Sequence, residues 1–476
     1  MSFAAYPPQG SDPDLARAEE IALSRMRTTL AASSGSGTGD SALGAVNSAR
    51  RANQGREEAG FYPRKPTNIE ESGLTVDFVE RLLCRFLLSH GAESGRRIGR
   101  ELGLPFRIIE PLLGNLKNEM QLTYKKTAGV GDYEYMLTDA GTERARRDMQ
   151  TCTYAETAPV PLDDYIASVT AQSLTLHQIR PKHLEAAFAD MLMDKGILDS
   201  LGPAVNAGRG MFLYGAPGNG KTSMAERLVR CFGTDLWIPR TIFVDDVCVR
   251  LFDPILHEEV GSDDSSLLGE PLEDARWVHI RRPTVVVGGE LTMEQLELRH
   301  DPVSNVSEAP LQMKSNCGVL LIDDFGRQAM PASELLNRWI VPLEKRHDYQ
   351  KLPTGKKIQV PFEQFVVFAT NLEPRDLVDE AFLRRLPYKI EVPDPTPEQF
   401  RRICHLVGPS IGLDPSNSRI DRLIEKYFLA AGRPMRCCHP RDLMLQMRSF
   451  CSYHDLPFDF SDEAMEFAVK NYFAVM

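Results

Sequence analysis

The residues best equipped for chemistry lie in one short run. Gly215-Ala216-Pro217-Gly218-Asn219-Gly220-Lys221-Thr222, followed by Ser223, has the spacing G-x-x-x-x-G-K-[ST]. Glycines let successive backbone N–H groups turn inward on phosphate oxygens. The lysine reaches β and γ phosphates, and the threonine hydroxyl supplies a ligand for Mg2+. ATP with Mg2+ is the expected cofactor. The apolar stretch from Met211 to Tyr214 precedes the run and a helical stretch from Met224 to Leu228 follows it, which is the strand, loop and helix that such a cradle needs.

A second set of oxygens stands farther along. Gly318-Val319-Leu320-Leu321-Ile322 reads as a buried strand and ends in Asp323-Asp324, at the edge where an α/β sheet places its ligand chemistry. The pair looks like a Walker B element, with Asp323 holding Mg2+ through water and Asp324 orienting or deprotonating the attacking water. Aspartate in the second place, where glutamate is commoner, is shorter by a methylene and implies slow hydrolysis. A buried strand closed by two capping acids is the plain alternative.

These loops need a framework, and the chain is long enough for several. Its 476 residues correspond to two to four domains at about 100–200 residues each. Residues 1–68, rich in Ala, Gly, Ser and Arg, are expected to be a disordered tail, with a short helix around Leu15 to Leu30. From residue 69 to 150, Phe78, Val79, Leu82, Leu83, Phe86 and Leu87 recur at helical spacing, as do Ile108, Ile109, Leu112, Leu113 and Leu116. Alternating residues on both sides of Gly129-Val130-Gly131-Asp132 signal a hairpin. Three helices and a hairpin predict a winged-helix domain. Residues 151–175, with APVPLDDY, read as a proline-stiffened linker, and a second unit runs from 176 to the end.

Over residues 176–476 the chain resembles the AAA+ ATPases, on several segments in order. Phe365-Val366-Val367-Phe368-Ala369-Thr370-Asn371 is similar to the strand ending in the sensor 1 polar residue, which makes Asn371 the group that positions the lytic water. AFLRRLPYKIEV, from residue 381 to 392, is similar to the segment carrying the arginine finger, with Arg384 and Arg385 as candidates to act on a neighbouring subunit's γ-phosphate. His439-Pro440-Arg441-Asp442-Leu443 resembles the start of the sensor 2 helix, with Arg441 folding over the phosphates. Two polar strands about Pro353-Thr354-Gly355-Lys356 resemble a pre-sensor 1 hairpin, and RRPTVVVGGELTMEQL, from residue 281 to 296, resembles an insert in helix 2. Together the two point to the clade of MoxR chaperones, enhancer-binding activators, McrB and MCM helicases. The GAFTGA loop of the activators and the aromatic-hydrophobic-glycine pore loop are both missing from the sequence. The resemblance implies an α/β fold: a P-loop core with a parallel sheet over 176–395 and a helical lid over 396–476. It also implies a ring, usually a hexamer, because the finger completes a site only in trans.

Composition narrows the partners. With 55 Lys and Arg against 66 Asp and Glu the net charge is −11, which excludes a polycation that coats nucleic acid. No apolar run is long enough to insert in a membrane, and the N-terminus does not read as a signal peptide, so a cytoplasmic protein is expected. Nine cysteines without CxxC spacing agree with reduced thiols. Cys437, Cys438 and His439, with Cys404 and His405, are too crowded for zinc ligands. From residue 74 to 148 there are twelve Lys or Arg against eleven Asp or Glu, a thin surplus for a DNA reader. The expected function is therefore an ATP-hydrolysing, chaperone-like remodelling ATPase that meets a protein client through its N-terminal domain. A DNA-associated ATPase, such as a helicase loader or a transposition or transcription regulator, is the alternative. A nucleotide-binding scaffold without turnover is a third reading.

Overall fold

The structure is a computed structural model, and it describes residues 61–261, 273–378, 380–413 and 415–474. The helix expected around Leu15 to Leu30, and the tail through residue 60, lie outside the described residues. Residues 61–68 belong to the packed body rather than to a tail. Phe61 lies 5.0 Å from the Trp277 ring, and the Pro63 carbonyl accepts from the Asp274 N–H at 3.1 Å. These contacts help offset the ordering entropy of the segment.

The N-terminal unit is built from α1 (Val76–His90), β1 (Glu93–Ser94), α2 (Gly95–Glu101), α3 (Phe106–Asn118), β2 (Leu122–Gly129), β3 (Asp132–Leu137) and α4 (Asp139–Thr151). Thr75 and Thr138 cap α1 and α4 with their side-chain oxygens. The strands form an antiparallel sheet in the order β1-β3-β2. Val79, Leu82, Leu83 and Phe86 of α1 meet Ile109, Leu112, Leu113 and Leu116 of α3 in one buried cluster, so the two apolar stripes face each other. Asp132, at the start of β3, accepts from the Gly95 and Arg96 N–H groups, both at 3.0 Å, and so ties the hairpin to α2.

Residues 151–175 are a packed part of the body, contrary to the spacer expected there. Tyr154 and Tyr165 are fully buried. β4 (Val160–Pro161) pairs with a strand of the next sheet, and α5 (Leu162–Ala171) adds Tyr165 and Val169 to that sheet's core. The prolines hold the extended edge while the tyrosines supply the burial.

The remaining chain interleaves two sheets. In order come α6 (Lys195–Ala207), β5 (Met211–Tyr214), α7 (Lys221–Leu228), β6 (Asp235–Pro239), β7 (Thr241–Val244), β8 (Val247–Arg250), β9 (Trp277–Arg281) and β10 (Thr284–Val287). They are followed by β11 (Arg299–Asp301), β12 (Val306–Glu308), β13 (Val319–Ile322), α8 (Ala332–Lys345), β14 (His347–Lys351), β15 (Lys357–Pro361), β16 (Phe365–Thr370) and β17 (Tyr388–Glu391). The central sheet, β10-β13-β16-β5-β17, is parallel throughout, and its inner strands β13, β16 and β5 read as near-continuous apolar runs because both their faces are covered. A second sheet, β11-β12-β8-β7-β4, lies under the N-terminal unit. Between them the Arg276 guanidinium, 3% exposed, pairs with Asp274 at 2.7 Å and donates to the Ser72 and Pro159 carbonyls, joining three segments through one satisfied buried cation.

The run TVVV, expected within an insert in helix 2, is instead the edge strand β10 of the central sheet, paired with β13. A β-branched run buried on one sheet face is a parallel strand, and the hairpin between β10 and β13 is β11–β12, farther on. β14 and β15 do flank the Pro353–Lys356 turn, held to α8 by Arg338, which donates to Asp348 at 2.6 and 2.8 Å. The C-terminal helices α9 (Pro397–Ile411), α10 (Asn417–Ile424), α11 (His439–Tyr453) and α12 (Asp462–Tyr472) enclose their own core around Phe400, Phe428, Met447 and Met465. Thr396 and Gln399 form a capping box that starts α9. Among the described residues no helix is long and apolar enough to cross a membrane.

Candidate nucleotide-binding site

Strand register assembles the site. Ile322 pairs with Phe368, and Thr370 pairs with Tyr214, so Asp323, Asn371 and Gly215 leave three adjacent strands at the same edge. The carboxyl edge of a parallel sheet is where such folds bind ligands. The loop after β5 closes onto α7 through Gly220, which is left-handed at φ 84°. A Cβ on Gly215 would stand 2.4 Å from the Val392 carbonyl, so only glycine lets the backbone pass there.

Lys221 is 7% exposed, and its ammonium donates to the Gly215 and Ala216 carbonyls at 2.9 and 3.0 Å and to Asn371 Oδ1 at 2.7 Å. Lys221 and Asn371 lie 150 residues apart in the chain. Among the described residues Lys221 forms no ion pair. Burial holds the ammonium below the ordinary lysine range, while Asp323 and Asp324 nearby pull it back up. A buried cation bonded to neutral carbonyls and an amide is a place where an anion belongs.

Thr222 Oγ1 donates to Asp323 Oδ2 at 2.7 Å, and Asp323 Oδ1 accepts from the Asp324 N–H at 3.0 Å. Asp324 is left-handed at φ 47°, a conformation aspartate tolerates better than most residues. Its Oδ1 accepts from Asn371 Nδ2 at 2.9 Å. The Asn371 amide thus bridges the Lys221 ammonium and the Asp324 carboxylate. Thr222 and Asp323 offer hard oxygens side by side, a donor set that suits Mg2+. Among the described residues no group of three or more His, Cys, Asp or Glu could hold a metal by itself, so phosphate oxygens would have to complete the shell.

The C-terminal helical unit touches the loop directly. The Cys438 N–H donates to the Gly218 carbonyl at 2.9 Å, and a Cβ on Gly218 would stand 2.5 Å from Cys438 Sγ. Asn219, 1% exposed, donates to Asp394 Oδ1 at 2.8 Å and to the Pro393 carbonyl at 3.2 Å, and accepts from the Cys437 N–H at 3.3 Å. Arg436 pairs with the same Asp394. His439 is buried beside them, and burial drives its imidazole down to about 4, so it is neutral near pH 7. Asp394 and Arg436 were not singled out from sequence, since nothing in VPDPTP or RPMRCC marks them as partners.

The other sequence candidates fall at the margins. Arg441 lies exposed on the first turn of α11, without a side-chain partner among the described residues. Arg384 is exposed and equally without one, whereas Arg385 donates to Glu344 at 2.6 Å. Ser223 sits in the first turn of α7, its carbonyl accepting from Arg227 at 2.8 Å.

Residues 396–471 match a family model described as a domain of unknown function, DUF8689. No curated protein matches the chain. Among solved structures, it is similar to a RuvB mutant of Thermotoga maritima at 12% identity and a TM-score of 0.35, over 63% of this chain and 75% of that one. It is similar also to RuvB of the same organism, described as a Holliday junction branch migration motor, at 12% identity and 0.34, over 59% and 70%. For NtrX of Brucella abortus the values are 11% and 0.35, over 56% and 52%.

Proposed function

We propose that this chain is an AAA+ ATPase that binds ATP and Mg2+, hydrolyses the γ-phosphate within a ring of copies, and remodels a protein client met by its N-terminal winged-helix unit. One observation carries the reading: a buried lysine that forms no ion pair among the described residues, ringed by the loop carbonyls and bridged through Asn371 to a carboxylate. Bound ATP supplies the phosphoanhydride, and Mg2+ offsets charge on its oxygens.

The chain's own groups do the rest. Backbone N–H groups from Gly218 to Thr222 and the Lys221 ammonium bind phosphate. Thr222 and Asp323 would hold Mg2+. Asp324, steadied by Asn371, orients the attacking water and accepts its proton. Arg384, exposed and without a side-chain partner among the described residues, is the better finger for a neighbour's site, because Arg385 is engaged by Glu344. Arg441 reaches the phosphates from the lid helix whose start rests on Gly218.

Protein docking is supported over DNA binding by the hairpin. Lys125 and Lys126 both pair with Glu134, at 3.1 and 3.0 Å, and the two lysines hold its carboxyl below the usual range. Beside them Tyr124 and Tyr133 stack at 4.1 Å and stay more than a third exposed. Lysines tied to a shared carboxylate and exposed aromatics suit a protein surface better than phosphates. The test of the ATPase reading is phosphate release and nucleotide titration on Lys221→Ala and Asp324→Asn. The first is expected to lose binding, the second to bind ATP without turnover. Wild-type turnover in Lys221→Ala would refute it.

A further inference from the structure

The geometry points to Cys152 and Cys248 as a thiol pair that a hydroperoxide oxidises to a disulfide, stapling the N-terminal unit to the sheet beneath it. Cys152 follows the last residue of α4 and is partly exposed, whereas Cys248 in β8 is 1% exposed. Both belong to one apolar cluster. Cys152 Sγ lies 3.8 Å from the Asn305 carbonyl, and Val306, the next residue, is the register partner of Cys248. These contacts set both thiols at the seam between the end of α4 and β8.

Arg85 explains why this pair differs from an inert buried one. Its guanidinium, 3% exposed, donates to the Cys152 carbonyl at 2.9 Å and to the Arg81 carbonyl at 3.3 Å, and forms no ion pair among the described residues. Asp148 of α4 has a carboxylate oxygen buried without a hydrogen-bond partner and does not pair with it. A buried guanidinium favours whichever neighbour can become an anion, and the Cys152 thiol is such a neighbour. The neighbouring Cys248 thiol, the Tyr154 N–H and the Arg85 charge hold Cys152 below the usual thiol range against the cost of its burial, and Cys248 is pushed up in turn. Cys437 and Cys438, the other partly exposed thiols, are both pushed up by burial, Cys437 to about 11.

An accessible thiolate beside a buried second thiol is the arrangement of a peroxide-oxidised pair. The Cys152 thiolate attacks one oxygen of hydrogen peroxide and the O–O bond breaks. Hydroxide leaves and takes up a proton as water, and Cys152 becomes a sulfenic acid. The Cys248 sulfur then attacks Cys152 sulfur, the S–O bond breaks, and the departing hydroxide takes the Cys248 proton. The balance is two thiols and one peroxide to one disulfide and two waters. The bond would fix the end of α4 on β8, so that the N-terminal unit could no longer tilt on its sheet.

The full chain, treated with hydrogen peroxide and digested without reduction, is expected to yield a Cys152–Cys248 linked peptide by mass spectrometry, reversed by dithiothreitol. Dimedone should trap a sulfenic acid on Cys152 in Cys248→Ser, and none should form on Cys248 in Cys152→Ser. A measurement on the wild type needs no variant: in an iodoacetamide pulse at pH 7, Cys152 should react roughly ten-fold or more faster than Cys437, since its larger thiolate fraction outweighs its lower intrinsic nucleophilicity. Its rate should change less than about two-fold from pH 6.5 to 8, whereas an ordinary thiol gains roughly ten-fold per unit below its pKa. No linked peptide from folded wild type, or a Cys152 rate that climbs with pH like an ordinary thiol's, overturns the assignment.

Discussion

Replacing Asn371 by alanine removes two hydrogen bonds, one from the Lys221 ammonium at 2.7 Å and one to the Asp324 carboxylate at 2.9 Å. Each joins a neutral amide to a charged group, a class worth about 1.5–3 kcal/mol. The two losses fall on different steps. Lys221 keeps its bonds to the Gly215 and Ala216 carbonyls, and the loop backbone is untouched, so ATP affinity should stay within about three-fold, an allowance of under a kcal/mol. Asp324, by contrast, loses the side chain that fixes its left-handed turn toward the phosphate edge. If one such bond is lost from the transition state alone, kcat falls by about 10- to 150-fold. Phosphate release at saturating ATP gives kcat, and titration with a fluorescent ATP analogue gives affinity independently. A kcat within two-fold of wild type, or a loss confined to affinity, would show that Asn371 only caps β16.

Three further perturbations probe separate parts of the argument. Arg384→Ala and Lys221→Ala chains, each nearly inactive alone, should regain phosphate release when mixed, because shared interfaces pair an intact cradle with an intact finger; Arg385→Ala should lose far less, and a mixture no more active than its parts would sink action in trans. Arg276→Met strands the buried Asp274 carboxylate, which costs about 3–5 kcal/mol, so urea unfolding of the β6–β9 region, followed by Trp237 and Trp277 fluorescence, should begin at markedly lower denaturant; a change under about 1 kcal/mol would mean that the pair is already hydrated. Full-length protein should bind mixed-sequence duplex DNA weakly and with a shallow salt dependence, and tight binding lost on replacing Arg107, Lys125 and Lys126 would favour the DNA-associated reading instead.

Much of the site was legible in the sequence because it depends on local rules. The loop from Gly215 to Thr222 carries its conformation in its glycines, and Asp323 and Asn371 each follow a run of apolar residues that could only be a buried strand. What the chain does not announce is register. TVVV satisfies a strand in an insert as well as a strand in the sheet, and only its pairing with β13 decides between them. The same holds for residues 151–175. Their prolines are visible at once, whereas the burial of Tyr154 and Tyr165 depends on partners from distant segments, Thr157 excepted.

The pair Arg436 and Arg441 shows where local reading stops. Arg441 was singled out because it opens a helix in a recognisable segment, and helix position is a local property. Arg436 precedes that helix in an irregular stretch, and its partner Asp394 lies across the lid. The bond between them matters because Asp394 also accepts from Asn219, a residue of the glycine-rich loop whose amide nitrogen is bonded to the segment before α9. Asn219 is buried, with its amide nitrogen bonded to the hinge and its amide oxygen to the lid. A loop that shifts when phosphate arrives must either carry the hinge and lid with it or leave those buried groups without partners, at about 1–3 kcal/mol each. The C-terminal helical unit is therefore tied to the loop through these hydrogen bonds, and that tie rests on contacts between residues far apart in the chain, which spacing alone could not reveal.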